Sequence, residues 1–131
     1  MNVKNFLTLA AVVSLVYGLP YFLSPQGSAN VYGYGEVTTP LSNLVLQFFA
    51  ISMIATGVMC FIARNAERSV GRSAVLWYIA VSQLLFLYMD IRTMLAGDEG
   101  GMNYVDLVVN VVLGFGALYF ISQDRKARAA A

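Results

Sequence analysis

Seven polar side chains interrupt the apolar runs of this sequence at spacings that can do chemistry: Tyr17, Gln47, Gln83, Asp90, Arg92, Asp106 and Asn110. In hydrocarbon an ionisable side chain is costly and marks a functional position by default. Gln83 and Asp90 stand seven apart and share a helix face, and Asp106 and Asn110 stand four apart and share another. Two carboxylates brought together at low dielectric resist double ionisation, which makes a site for a proton or a cationic ligand. The sharper expectation is therefore an outward-open polar pocket. Asp90, Asp106, Asn110, Gln47 and Gln83 line it, and Tyr17 closes one wall. Arg92 is expected to pair with Asp106 rather than Asp90, because residues two apart on a helix do not face each other.

The plainer expectation is helix-end chemistry. Asp106 near a helix N-terminus is stabilised by the helix dipole. Arg92 can snorkel to headgroups, and Asn and Gln can hydrogen-bond between helices. Asp90 fits that reading less well, because it lies near the C-terminal end of its helix, where the dipole disfavours a negative charge.

The elements that must position these groups are four apolar stretches, roughly Phe6–Leu23, Leu44–Ala63, Ala74–Leu95 and Tyr104–Ser122. About 20 apolar residues of helix span the ~30 Å hydrocarbon core of a bilayer. The chain is 59% hydrophobic and 11% charged, with a mean hydropathy of +0.68, where a soluble domain carries about a quarter charged residues. Val45–Ile62 and Ala74–Met89 are apolar nearly all round, which means burial in lipid or in a core larger than this chain can build. The expected fold is all-α: one domain over residues 1–131, an integral membrane four-helix bundle.

The charges are sorted along the chain. Lys4, Arg64, Arg68, Arg72, Arg125, Lys126 and Arg128 sit at the N-terminus, in the second loop and in the tail. Glu36, Asp98 and Glu99 sit in the first and third loops. The positive-inside rule then puts both termini and the Arg64–Arg72 loop in the cytoplasm. The net charge of +1 argues against a nucleic-acid partner. Membrane lipids, and either other membrane subunits or a second copy in a homodimer, are the expected partners.

Met1–Ala29 has some marks of a signal peptide, namely Lys4, an apolar run and Gly27-Ser28-Ala29. The run is long for that role and is read as an uncleaved first span. Pro20 is expected to kink or end this span near its outer end, with Pro25 and Gly27 marking the exit. The segment from Ser24 to Ser42 reads as a long outer loop, with Tyr32-Gly33-Tyr34-Gly35 as an interfacial turn. Thr39-Pro40 reads as a start signal, with Ser42 or Asn43 as N-cap of the second long helix. Asn103 is expected to cap the fourth, after an outer turn over Ala96–Gly101. The short second loop makes spans two and three antiparallel neighbours. The tail from Gln123 is expected to extend the last helix.

A faint echo links Asn43 to Gln47 and Asp106 to Asn110, each at the start of an even-numbered span. It fits two hairpin repeats related by an axis along the membrane normal. Ala10, Ser14 and Gly18 form one small-residue stripe, Ser52, Thr56 and Cys60 a second, and Asp106, Asn110 and Gly114 a third. Such stripes let helices approach closely. Arg72, Trp77 and Tyr78 read as interfacial anchors, and the methionines as lipid-facing or gap-filling. Cys60, the single cysteine, reads as a small packing residue. There is no histidine, and no zinc spacing, nucleotide loop or nucleophile elbow. Neither a metal nor another cofactor is expected.

Tyr17-Gly18-Leu19, the following Pro25, Tyr34-Gly35, and Gln47-Phe48-Phe49-Ala50 with Gly57 and Ala63-Arg64 resemble small four-helix proteins of the bacterial inner membrane of the DoxX-like kind. Ala50 stands where such proteins often carry Gly, and Gln47 where they often carry a basic residue. The resemblance covers about the first half of the chain. It implies a four-helix bundle in the bacterial inner (plasma) membrane and carries no catalytic residue.

The reading drawn from the sequence is a non-catalytic accessory or scaffold subunit of an inner-membrane complex. Its alternatives are a small dimeric transporter or ligand binder using the acidic pocket, and an enzyme acting on a lipid or quinone with an acidic pair as acid and base.

Overall fold

A computed structural model describes residues 1–31, 39–96 and 104–129. Five helices occupy them: α1 Val3–Leu23, α2 Pro25–Val31, α3 Pro40–Ala63, α4 Val70–Leu95 and α5 Tyr104–Ala129. All but α2 are long and apolar enough to cross a membrane. The all-α expectation holds, and each long helix contains the stretch expected for it.

Local chemistry sets the ends. Asn2 caps α1 through its side chain, which accepts from the Asn5 amide. Thr39 caps α3 in a reciprocal box with Ser42, and Pro40 follows at the first helical position, where its missing N–H costs nothing. The cap thus lies three residues before the earlier of the two expected caps, Ser42, whose hydroxyl instead serves as the returning partner. Ser69 caps α4. Pro20 does not end α1: the helix runs on to Leu23 and stops at Ser24, whose amide donates to the Pro20 carbonyl at 2.8 Å. The segment after it is not all loop. Pro25 opens the short α2, which buries Ser28 and Ala29. Its composition of Pro, Gly, Ser and Asn hides a helix that is held by docking small side chains. Ala96, the first residue of the expected outer turn, caps the end of α4, its amide donating to the Arg92 carbonyl at 3.0 Å; the rest of that turn, the Tyr32–Gly35 turn, the Asn103 cap and the loop acids Glu36, Asp98 and Glu99 lie outside the described residues.

The long helices pair as α1 with α3 and α4 with α5. α3 and α4, expected to be close neighbours because their loop is short, touch only lightly. Within the first pair a β-carbon at Gly18 would stand 3.0 Å from the Ala50 carbonyl oxygen and the Ile54 amide. One at Gly57 would stand 3.1 Å from the Ala11 carbonyl oxygen. These backbones are as near as two helices come, which is what small residues permit. Of the two stripes expected in these helices, Ala10-Ser14-Gly18 is buried throughout, whereas Ser52 is exposed and Gly57 takes its part.

The two pairs meet at the end of the molecule that carries the start of α1, the end of α5 and the α3–α4 turn, here called the basic end. Phe6 and Leu7 of α1, Cys60 of α3, Leu76 and Ile79 of α4, and Ala117 of α5 are all buried there in one cluster. The Phe6 ring lies over Gly116, where a β-carbon would be 2.6 Å away, and packs on Phe120 with ring centroids 5.1 Å apart. Beyond this core the outer faces are apolar and uncovered, with Phe48, Ile51, Val58, Val81, Leu85, Val108 and Phe115 each about half or more exposed.

Candidate functional site

Packing concentrated at the basic end leaves the pairs apart toward the other end, and a cavity of about 350 Å³ lies between them. Tyr17 and Tyr21 line it from α1, Phe49 and Met53 from α3, Gln83, Phe86 and Asp90 from α4, and Asp106 and Asn110 from α5. Helical spacing explains the set. Tyr17 and Tyr21, Phe49 and Met53, and Asp106 and Asn110 are four apart, and Phe86 falls between Gln83 and Asp90 on the same face. Each pair of helices thus offers one continuous wall.

Five of the seven candidates converge here. The Tyr17 hydroxyl donates to Asp106 Oδ1, a hydrogen bond from α1 to α5 across the gap between the helix pairs. The Asn110 amide donates to Asp90 Oδ2 at 2.8 Å, within the second pair. Asp90 lies near the C-terminal end of α4, where the dipole opposes its charge, so the Asn110 donor offsets part of that penalty. Asp106, in the first turn of α5, has the dipole in its favour. Both carboxylates are partly exposed and sit toward the mouth. Gln83 lies two turns deeper, about 10 Å along the α4 axis from Asp90. It is only 7% exposed, and its Oε1 is buried without a hydrogen-bond partner.

The other two candidates are not brought to the cavity. Gln47 is half-buried on α3, and its neighbours Leu46 and Phe49 take the lining positions. A helix turns about 100° per residue, so one step of register separates them. Arg92 is exposed and makes no ion pair with Asp106, whose partner is Tyr17 instead. The protein therefore brings two carboxylates to one cavity, and among the described residues no cation of its own neutralises them. Nor do three His, Cys, Asp or Glu side chains gather among those residues at a spacing that could hold a metal.

Sequence reasoning did not pick out the aromatic wall. Tyr21 meets Phe49 edge to face at 5.9 Å, and Phe49 meets Phe86 in the same way at 6.0 Å. The chain of rings runs from α1 through α3 to α4 and forms one side of the cavity. The available signal was Phe86, three residues after Gln83 and four before Asp90. An aromatic ring on a polar stripe is where an amphipathic ligand rests its body. Met53, grouped with the gap-filling methionines, lies at the floor of this wall.

A second polar cluster, at the basic end, was also not foreseen. Arg72 does not reach the interface as an anchor. It is buried and grips Asp124 of α5, with Nη2 at 2.6 Å and 2.7 Å from the two carboxylate oxygens and Nε at 3.2 Å from one of them. Its Nη1 donates to the Ala66 carbonyl at 3.2 Å. Arg68, mostly exposed, approaches the same carboxylate at 3.5 Å. The other two expected anchors, Trp77 and Tyr78, are part exposed. Arg125 stands 5.5 Å over the Trp77 ring, and the Tyr78 hydroxyl lies 3.1 Å from Thr56 Oγ1.

No family model, curated protein or solved structure matches this chain.

Proposed function

We propose that this chain is a multi-pass membrane protein that binds a small ligand in an acidic cavity between its two helix pairs. Both termini lie in the cytoplasm and the cavity mouth faces outward. The observation that carries this reading is the convergence of Tyr17, Gln83, Asp90, Asp106 and Asn110, from three helices, on one cavity. Polar side chains serving only as helix-end groups have no reason to share a space. The accessory-subunit reading rests on the uncovered apolar faces, and lipid accounts for those equally well. Nothing in the geometry favours it over the binder. The orientation follows from Lys4, Arg64, Arg68, Arg125 and Lys126 standing at the end opposite the cavity mouth.

Native mass spectrometry of the full chain, released from its own membrane in mild detergent, tests the binding reading. A small-molecule adduct is expected on the wild type and is lost in Asp90→Asn. A stoichiometric partner protein with no small molecule would overturn it in favour of the subunit. The orientation is checked with Leu46→Cys in a Cys60→Ala background. A membrane-impermeant maleimide applied to the outer face is expected to label it. Labelling from the cytoplasmic face alone would reverse the topology.

A further inference from the structure

Resting on that binding reading, we infer that the occupant is an organic cation of arylalkylamine type. A protonated nitrogen sits between Asp90 and Asp106, an aromatic body lies against Phe49 and Phe86, and a second N–H or O–H donor reaches Gln83 Oε1.

Charge comes first. Asp106 accepts from the Tyr17 hydroxyl and Asp90 from the Asn110 amide. Each bond is to a neutral donor, and Arg92, which follows Asp90 on α4, is exposed and does not line the cavity. An ammonium group with several donors complements two carboxylates to which, among the described residues, one neutral donor each is bonded. An anion meets like charge here, and a bare metal ion meets too few ligands and an apolar wall.

The wall gives the body. Tyr21, Phe49 and Phe86 present rings edge to face along one side. Aromatic rings both pack an apolar body and attract a cation. A space of about 350 Å³ is at the small end of ligand pockets, so the body is compact.

The floor gives the far end. Gln83 Oε1 is an acceptor with no donor, on a side chain more than nine-tenths buried. Buried polar groups are almost always paired, and Gln83 lines the cavity, so a half-turn of its terminal amide offers this oxygen to what fills the space. With Gln83 about 10 Å along the helix from Asp90, the ligand carries its second donor at the end opposite its ammonium.

The test is titration calorimetry on the full chain in nanodiscs with four probes of shared shape: tyramine, phenethylamine, 4-ethylphenol and 4-hydroxyphenylpropionate. Tyramine is expected to bind most tightly, and phenethylamine, lacking the far hydroxyl, roughly tenfold more weakly. The anionic propionate is not expected to bind. Gln83→Met is expected to abolish the preference for tyramine while phenethylamine still binds. The isosteric Asp90→Asn/Asp106→Asn double variant is expected to weaken both amines by about a hundredfold or more. Retained helicity and elution volume would show that it folds. Arg92→Gln is expected to change nothing. The cation assignment is overturned if the propionate or 4-ethylphenol binds as tightly as the amines, or if no amine binds more tightly than about 1 mM. The donor assignment is overturned if Gln83→Met leaves the preference intact. A neutral probe that binds where the amines do not would leave the binding reading standing. If no probe binds and no adduct is seen by mass spectrometry, both fall.

Discussion

Asp124→Ala is expected to destabilise the folded chain by about 3–5 kcal/mol, the cost of leaving one member of a buried ion pair without its partner. Arg72 is 6% exposed, and among the described residues three of the four hydrogen bonds of its side chain go to Asp124. With the carboxylate gone, the guanidinium keeps only the Ala66 carbonyl. The helix dipoles do not help. Arg72 stands in the first turn of α4, at its positive end, and Asp124 in the last turns of α5, at its negative end. Each charge is disfavoured by its own helix and is held by the other. Removing both is therefore a different experiment from removing one. Arg72→Met with Asp124→Leu is expected to fall within about 1 kcal/mol of the wild type, since a well-packed apolar pair replaces a buried ion pair at little cost. Arg68→Ala is expected to cost less than about 1 kcal/mol, because Arg68 is exposed and its contact is long. Equilibrium unfolding in mixed micelles reads all three. A single Asp124→Ala that unfolds like the wild type would show that water reaches the guanidinium and that the pair does not clamp α4 to α5.

That clamp was invisible in the sequence for a specific reason. Asp124 is one acid in a basic tail, and Arg72 is one of several arginines near a loop, so charge sorting places both at an interface. What pairs them is the contact between α4 and α5, and no periodicity within a single helix reports a neighbour. The same limit explains Gln47. Its depth in α3 could be read from span length, but whether Gln47 or Leu46 faces the cavity depends on how α3 is rotated against α1, and Gly18 and Gly57 fix that rotation. The residues that were legible, Gln83 with Asp90 and Asp106 with Asn110, are those whose spacing within one helix already placed them on a shared face. The short helix α2 lies at the other extreme. Local composition argued for a loop, and the docking of Ser28 and Ala29 overrode it.

The distribution of packing explains why the polar residues meet at one end only. The buried core and the Arg72–Asp124 pair both stand at the basic end. Toward the other end the helix pairs are joined by the Tyr17–Asp106 hydrogen bond and the contact of Phe49 with Phe86. Hydrogen bonds between membrane helices average only about 0.6 kcal/mol. The cavity is thus flanked by weak links, while strong ones hold the molecule together elsewhere, an arrangement that admits a ligand without loosening the fold.

Gly18→Leu is expected to destabilise the chain by about 1–3 kcal/mol and to weaken ligand binding as well. A β-carbon there would stand 2.9 Å from Ile54 Cγ1 and 3.0 Å from both the Ala50 carbonyl oxygen and the Ile54 amide nitrogen. The isoleucine side chain can move, but the two backbone atoms belong to α3 itself, so α1 must back away. Close packing is much of what holds helices together where lipid removes the hydrophobic drive, so the retreat forfeits the association energy of this pair. Tyr17 is the adjacent residue, and its hydroxyl must reach Asp106 across the cavity, so the same retreat opens that polar link between the pairs. Gly71→Ala is the matched control. Its β-carbon meets nothing nearer than Ser69 Oγ at 3.8 Å, and replacing a helical glycine with alanine is expected to gain about 0.5–1 kcal/mol. Thermal unfolding of both variants in nanodiscs, with tyramine binding followed in parallel, checks the pair of signs. If Gly18→Leu melted with the wild type and kept its ligand, the α1–α3 seam would not be what positions Tyr17 against Asp106.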